Sequence, residues 1–315
     1  MSSFINSLTV RPSKNMDRLG YRWLFDCQWQ CCFWFSFFVL PQGGGPFISG
    51  KHSCVNRCCH DNPCVNGGLC LEICDSQSTR FNCTCPDTYT GRRCEKTKHP
   101  RTCKDIANNI ALTSGRYLIS DSADEVFSVY CDMESESGFV WTLIQSFSLA
   151  NKDIFADDFG TNFPVNNSNN EVDWNSYRLS LLQMESLANH STHLRATCNF
   201  PTEGLNYTDY ARAKLKGHNI FDTWDNVCQL YERVNIRGIE CFNCTALTQQ
   251  SRKNAWTIKS YQSKARGCDL DGRPGASGHE NNFGRYRNSS INGNHRCSSS
   301  PESTTQHWFG AELEF

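Results

Sequence analysis

The chain has 315 residues, and 31 Lys and Arg against 32 Asp and Glu leave a formal net charge of −1. That length allows two or three domains, and the charge balance gives no global basic surface for nucleic acid. The unusual feature is cysteine: there are 20, and nine of them fall between Cys54 and Cys94.

Residues 1–50 read as a leader. Arg11, Lys14, Arg18 and Arg22 precede the apolar run CCFWFSFFVL (31–40), which is followed by PQGGGPFISG. A basic flank, a short apolar run and small residues make the pattern of a signal peptide. The run falls short of the about 20 residues that a membrane span needs. Its length and its wealth of Phe and Trp leave a signal anchor as the alternative. The expected location is therefore secreted, with a membrane-anchored cell-surface form second. Removing Cys27, Cys31 and Cys32 with the leader leaves an odd number of cysteines. One thiol is then free, or it joins two chains in a disulfide-linked homodimer.

Residues 54–95 carry the spacing Cys59-x4-Cys64-x5-Cys70-x12-Cys83-x-Cys85-x8-Cys94. Zinc ligands usually come as two close pairs around a longer loop, and the single-residue gap between Cys83 and Cys85 suits a tetrahedral metal poorly. A redox centre wants a C-x-x-C at a helix start, and this module has none. A segment this small cannot stand on an apolar core, so covalent staples are the expected support. NPCVNGGLC, FNCTC and CPDTYTGRRC resemble the EGF-like domain. The resemblance implies the bridges Cys59–Cys70, Cys64–Cys83 and Cys85–Cys94, and a role as spacer and contact module. The residues ahead of Cys59 lack the family's calcium-binding carboxylates, so no calcium is expected there. Cys54, Cys58 and Cys74 are additional, and Cys74 is expected to pair with Cys54 or Cys58. Gly67 and Gly68 supply a turn.

A polar linker (96–102) leads into residues 103–315. SGRYLIS (114–120), FSVYCDM (127–133) and GFVWTLIQSF (138–147) predict strands from their β-branched and aromatic content. WNSYRLSLLQMESLANH (174–190) predicts one amphipathic helix capped by Asp173 or Asn175, with the stripe Tyr177, Leu181, Met184 and Ala188 facing a core. HLRATCNF (193–200), RVNIRGIEC (233–241) and AWTIKSY (255–261) predict further strands. The fold expected for this larger domain is mixed α+β, beside a small disulfide-rich β module. The block formed by Cys103, Ser114-Gly115-Arg116-Tyr117, Val129-Tyr130-Cys131-Asp132-Met133 and Gly138 with Trp141-Thr142 resembles the opening of a fibrinogen C-terminal-like domain. That resemblance implies a Cys103–Cys131 bridge. Beyond this block the likeness fades into a divergent branch.

Asp269 and Asp271 in CDLDGRPG (268–275) offer oxygen ligands to calcium, the one cofactor considered for this domain, with an ordinary polar loop as the alternative. NGNHRC (292–297) resembles the calcium and sugar loop of intelectins at Asn292 and His295. The last six cysteines are expected to pair as Cys198–Cys228, Cys241–Cys244 and Cys268–Cys297. Six N-x-[ST] sequons favour secretion. Glycosylation is expected at Asn166, Asn189, Asn206 and Asn288; Asn82 and Asn243 have Cys in the middle position. HSTH (190–193) lacks the glutamate of an H-E-x-x-H zinc site, and CFNC (241–244) reads as structural. The function expected is thus non-catalytic extracellular binding or adhesion toward a carbohydrate or protein ligand, not nucleic acid. A structural extracellular-matrix component is the alternative.

Overall fold

A computed structural model describes residues 58–74, 79–109, 112–166, 171–216, 219–261, 266–278, 280–286 and 291–313. The leader, Cys54 and Asn288 lie outside the described residues, as does the side chain of Cys74. The chain divides into two compact units, Met1–Lys98 and His99–Phe315. No helix among the described residues is long and apolar enough to cross a membrane.

In the first unit, β1 (Leu69–Cys74) pairs antiparallel with β2 (Thr79–Thr84), placing Cys70 opposite Cys83. β3 (Tyr89–Thr90) pairs with β4 (Lys96–Thr97). Disulfides join Cys59 to Cys70, Cys64 to Cys83 and Cys85 to Cys94, and Cys58 is also disulfide-bonded. The described residues buried here are Cys64, Gly68 and Cys94, so the interior is sulfur and backbone rather than apolar side chains. A Cβ on Gly68 would lie 2.6 Å from Cys94 Sγ, which only glycine avoids. Leu69, Leu71 and Ile73 alternate along β1 and are exposed, Leu69 by 71%. Covalent bridges must supply what that outward-facing stripe does not.

The second unit starts with α1 (Cys103–Asn109), β5 (Gly115–Ser120), β6 (Val126–Asp132), β7 (Phe139–Ser148) and β8 (Ser176–Arg178). Next come α2 (Leu181–Ala188), β9 (His193–Cys198), α3 (Phe200–Glu203) and β10 (Tyr210–Lys214). β11 (Trp224–Ile236), β12 (Ile239–Ser251), β13 (Asn254–Lys259), β14 (Asn281–Asn282) and β15 (Thr304–Glu312) complete it. One 11-stranded antiparallel sheet runs β14-β13-β12-β11-β10-β9-β15-β7-β6-β5, with β8 added on β7. The last strand of the chain sits in the middle, between β9 and β7. It fits because Gly310 faces Trp141: a Cβ there would come within 2.3 Å of the indole.

The expected mixed α+β fold does not form. The unit is mostly β, with three short α-helices among the described residues, the longest of 8 residues. The single helix expected over 174–190 is the main source of the error. Ser180 starts the helix late, at Leu181, by closing a capping box with Gln183, each side chain bonding the other's backbone N–H. The preceding Ser176–Arg178 pairs with β7, opposite Phe147, Ser146 and Gln145. Tyr177 and Met184 are both buried, so the apolar stripe is core but is shared between a strand and a helix. The strand expected over 233–241 is a hairpin turning at Arg237-Gly238, both at positive φ. β10 and β15 have no counterpart in the expectation.

Disulfides join Cys103 to Cys131, Cys198 to Cys297, Cys228 to Cys268 and Cys241 to Cys244. The expected Cys198–Cys228 and Cys268–Cys297 pairs are therefore exchanged. The reason is the placement of β15 against β9, with Thr305 opposite Cys198, which brings the turn before β15 and its Cys297 to the end of β9. Cys228 instead faces the segment anchored by Leu270 N–H to Thr245 C=O. Replacing both cysteines of one bridge, Cys198→Ser with Cys297→Ser, frees a separation of 99 residues, and Cys241→Ser with Cys244→Ser frees one of 3. Chain entropy predicts losses of about 4–5 and about 2 kcal/mol, to be compared by urea unfolding.

Candidate binding groove

The S-G-x-Y and C-D-M blocks meet across β5 and β6. Ser114 Oγ accepts from Met133 N–H (2.9 Å) and donates to Asp132 Oδ1 (3.4 Å), while Ser114 N–H donates to Glu134 Oε2 (2.7 Å). Asp132 Oδ1 also accepts from Ser135 N–H (3.1 Å), and Ser135 Oγ donates to Oδ2. These polar groups form one wall of a groove of about 490 Å³.

Its aromatic side is made by Tyr130 on β6, Trp174 before β8 and Phe200 at the start of α3. Tyr130 and Trp174 meet edge-on with centroids 5.0 Å apart, and Trp174 lies 6.1 Å from Phe200. All three rest on buried Trp308 of β15, at 6.2, 6.2 and 4.7 Å. Asn199 fixes Phe200: its Oδ1 accepts from Thr304 N–H (2.8 Å), and its Nδ2 donates to Glu203 and Arg296. Trp174 is held through its carbonyl, which accepts from Ser146 Oγ at 2.5 Å.

Beneath the groove, Arg195 of β9 is fully buried, its guanidinium 4.6 Å from the ring centroids of both Trp141 and Trp308. It donates to Asp132 Oδ2 (2.8 Å) and Glu136 Oε2 (3.2 Å). Glu136 also accepts from Tyr210 OH and Arg212, and Arg212 bridges onward to Glu232. Burial alone would raise the Asp132 carboxyl, but the Arg195 charge and the Ser135 hydrogen bond hold it below its ordinary 3.8. Burial, and then the Asp132 and Glu134 charges, push the Tyr130 phenol up. The groove is thus an aromatic shelf beside the exposed Glu134 carboxylate, the Asp132 carboxylate paired with Arg195, and the Ser114 and Ser135 hydroxyls. It suits a ligand with an apolar face and outward hydrogen-bond donors.

The residues singled out for calcium are engaged elsewhere. Asp269 Oδ2 accepts from Thr245 N–H and Oγ1, both at 2.8 Å, and Asp271 pairs with Arg273. The one group of three metal-capable side chains among the described residues is Cys198, His295 and Cys297, and its two sulfurs are joined to each other. Asn292 and His295 of the intelectin-like loop are buried. Asn292 Nδ2 donates to Gly275 O and Glu280 Oε2, both at 2.9 Å, and burial holds His295 down to about 3. The two histidines of HSTH part company, His190 to Ser186 O and His193 to Glu232. Asn82, Asn166, Asn189, Asn206 and Asn243 are exposed. The groove itself escaped sequence reasoning, because Tyr130, Trp174 and Phe200 lie in separate segments that no local pattern joins.

The family model described as "Fibrinogen beta and gamma chains, C-terminal globular domain" matches residues 99–163. That stretch contains Ser114, Tyr130, Asp132 and Glu134, but neither Trp174 nor Arg195. Human jagged-2 is 45% identical over 47 residues, 15% of this chain and 4% of that protein. A cubilin homolog of Caenorhabditis elegans is 32% identical over 92 residues, 28% of this chain and 2% of that protein. Toxin Bcs III 15.09 of Bunodosoma caissarum is 43% identical over 44 residues, 14% of this chain and 91% of the toxin. The chain thus spans only a few per cent of the jagged and cubilin relatives. Residues 99–163 are a fibrinogen-like segment.

Arg195→Met should leave Asp132 buried without its cation, while Glu136 keeps Arg212, and cost about 3–5 kcal/mol by chemical denaturation. Asp132 titrates below its unfolded value, so its contribution is complete at neutral pH and is lost as pH falls through the depressed value. In the variant the same carboxyl, desolvated and unpaired, shifts the other way. The stability gap between the two proteins should therefore narrow on acidification. Calcium added and then chelated should leave the melting temperature unchanged, which differential scanning calorimetry would check.

Proposed function

We propose that this chain is an extracellular, non-catalytic recognition protein whose second unit binds carbohydrate in the groove of Tyr130, Trp174 and Phe200. The first unit, read as an EGF-like module, serves as its spacer. The observation that carries the reading is the aromatic shelf bordered by Ser114, Asp132, Glu134 and Ser135. A pyranose ring has an apolar face for Trp174 and hydroxyl donors for the carboxylates. The fibrinogen-like segment and the jagged-2 likeness support an extracellular binding role, and seven described disulfides support an oxidising compartment.

A second reading, a matrix component that assembles with itself, draws support from the exposed stripe Leu69, Leu71 and Ile73. Glycan-array screening followed by calorimetric titration separates the two. Trp174→Ala should weaken glycan binding by about tenfold or more, a loss of at least ~1.4 kcal/mol. Glu134→Gln, at an exposed position, should weaken it with no change in unfolding. Saturable self-association with no glycan bound by either protein would favour the matrix reading.

A further inference from the structure

A second groove, of about 570 Å³, runs along α2. One side is Glu185 and Ala188 of the helix, with Asn189 at its C-cap; the other is Leu215, Asn219 and Phe221. We propose that this groove is an intramolecular carbohydrate site that beds the first N-acetylglucosamine residues of an N-linked glycan on Asn189. The proposal rests on the extracellular reading, because the sugar is transferred in the secretory pathway.

Asn189-His190-Ser191 is a sequon held on a tight surface turn. The Asn189 N–H bonds Glu185 O, the Ser191 N–H bonds Ala188 O at 3.2 Å, and His190 Nδ1 is folded back to within 2.9 Å of Ser186 O. Asn189 is exposed, and among the described residues its side-chain amide makes no hydrogen bond. Other sequons differ. The Asn166 Nδ2 donates to Ser176 O at 2.8 Å, Asn206 Oδ1 closes its own turn with Thr208 N–H at 2.8 Å, and Asn243 lies inside the Cys241–Cys244 ring.

The far wall of the groove is preformed. Buried Gln250 donates through Nε2 to Ile220 O (2.6 Å) and Asp222 O (2.5 Å), and Gly160 lets Phe221 approach so closely that a Cβ would meet its carbonyl at 2.4 Å. Leu215, Phe221 and Ala188 are half-buried and leave apolar surface facing the space. Glu185, one helical turn before Asn189, lies on the same helix face. Apolar floor, carboxylate acceptor and side-chain amide match the ring face, acetamido group and hydroxyls of N-acetylglucosamine. The volume is in the range of sites for such ligands.

The donor is a lipid-pyrophosphate-linked oligosaccharide. The bond from Asn189 Nδ2 to the anomeric carbon forms as that carbon's bond to the pyrophosphate oxygen breaks. The amide loses one proton, and the lipid pyrophosphate leaves with the electron pair.

The full chain, expressed in a eukaryotic cell line, would be mapped by peptide mass spectrometry after release with an amidase that cleaves N-glycans. Asn189 should be occupied. Its glycan should be released about tenfold more slowly from the native than from the denatured protein, as a docking free energy near 1.4 kcal/mol requires. Ser191→Ala, which removes the sequon outside the groove, should raise hydrogen exchange at residues 219–222, and Phe221→Ser should abolish the slow release. A secreted, fully bridged chain with bare Asn189, or release equally fast from native and denatured protein, overturns the groove assignment alone. A chain retained in the cell with free thiols and no glycan overturns both this inference and the extracellular reading.

Discussion

A guanidinium held between two indoles is the interaction on which the second unit depends. Arg195 lies fully buried between Trp141 of β7 and Trp308 of β15, and its charge is met by Asp132 and Glu136. A cation in that position is tolerable only if its counter-charges are fixed, because desolvation of an unpaired ion costs several kcal/mol. The arrangement therefore constrains five parts of the chain together: β6, the turn after it, β7, β9 and the central strand β15. It also explains why Asp132 stands in the fibrinogen-like block. Its carboxylate joins the Ser114 hydroxyl at the surface to the arginine in the core.

The two units solve the same problem by different means. Among the described residues the first encloses sulfur while Leu69 and Leu71 face outward. The second buries Trp141, Trp308, Phe147 and Phe309 across a wide sheet, and its disulfides tie β6 to α1, β9 to the turn before β15 and β11 to a loop, with one short bridge inside β12. The two grooves of the second unit inherit their rigidity from this core. The aromatic shelf stands on Trp308, and the wall opposite α2 hangs on Gln250. A shelf fixed in advance loses little conformational entropy on meeting a ligand, which is the condition for weak polar contacts to add up to recognition.

Much of the early second unit was legible in the residues. β5, β6 and β7 are dense in aromatic and β-branched side chains, and the fibrinogen-like block lies within them. The helical expectation over 174–190 failed because a 3.6-residue stripe cannot distinguish a helix from a strand followed by a helix when both bury the same face. Ser180 and Gln183 carried the correct boundary as a capping box, a signal available in the sequence and missed. β15 was illegible for another reason. Thr305, Gln306 and His307 are polar, yet all three are buried, so neither hydropathy nor alternation marks them as the centre of a sheet.

By itself, then, the sequence determined the crowding of cysteines in a segment too short for a core, the fibrinogen-like opening and its strands. These are local properties, written in spacing and side-chain type over a few tens of residues. Tertiary structure alone decided the predominantly β character, the exchange of cysteine partners around Cys198 and Cys228, the burial of Asn292 and His295, and the meeting of Tyr130, Trp174 and Phe200. Each of these depends on where the final strand enters the sheet, and that position is set by the packing of Gly310 on Trp141 and of Trp308 on Arg195. Contacts between residues so far apart in the chain are fixed by shape and charge in three dimensions, which no local pattern encodes.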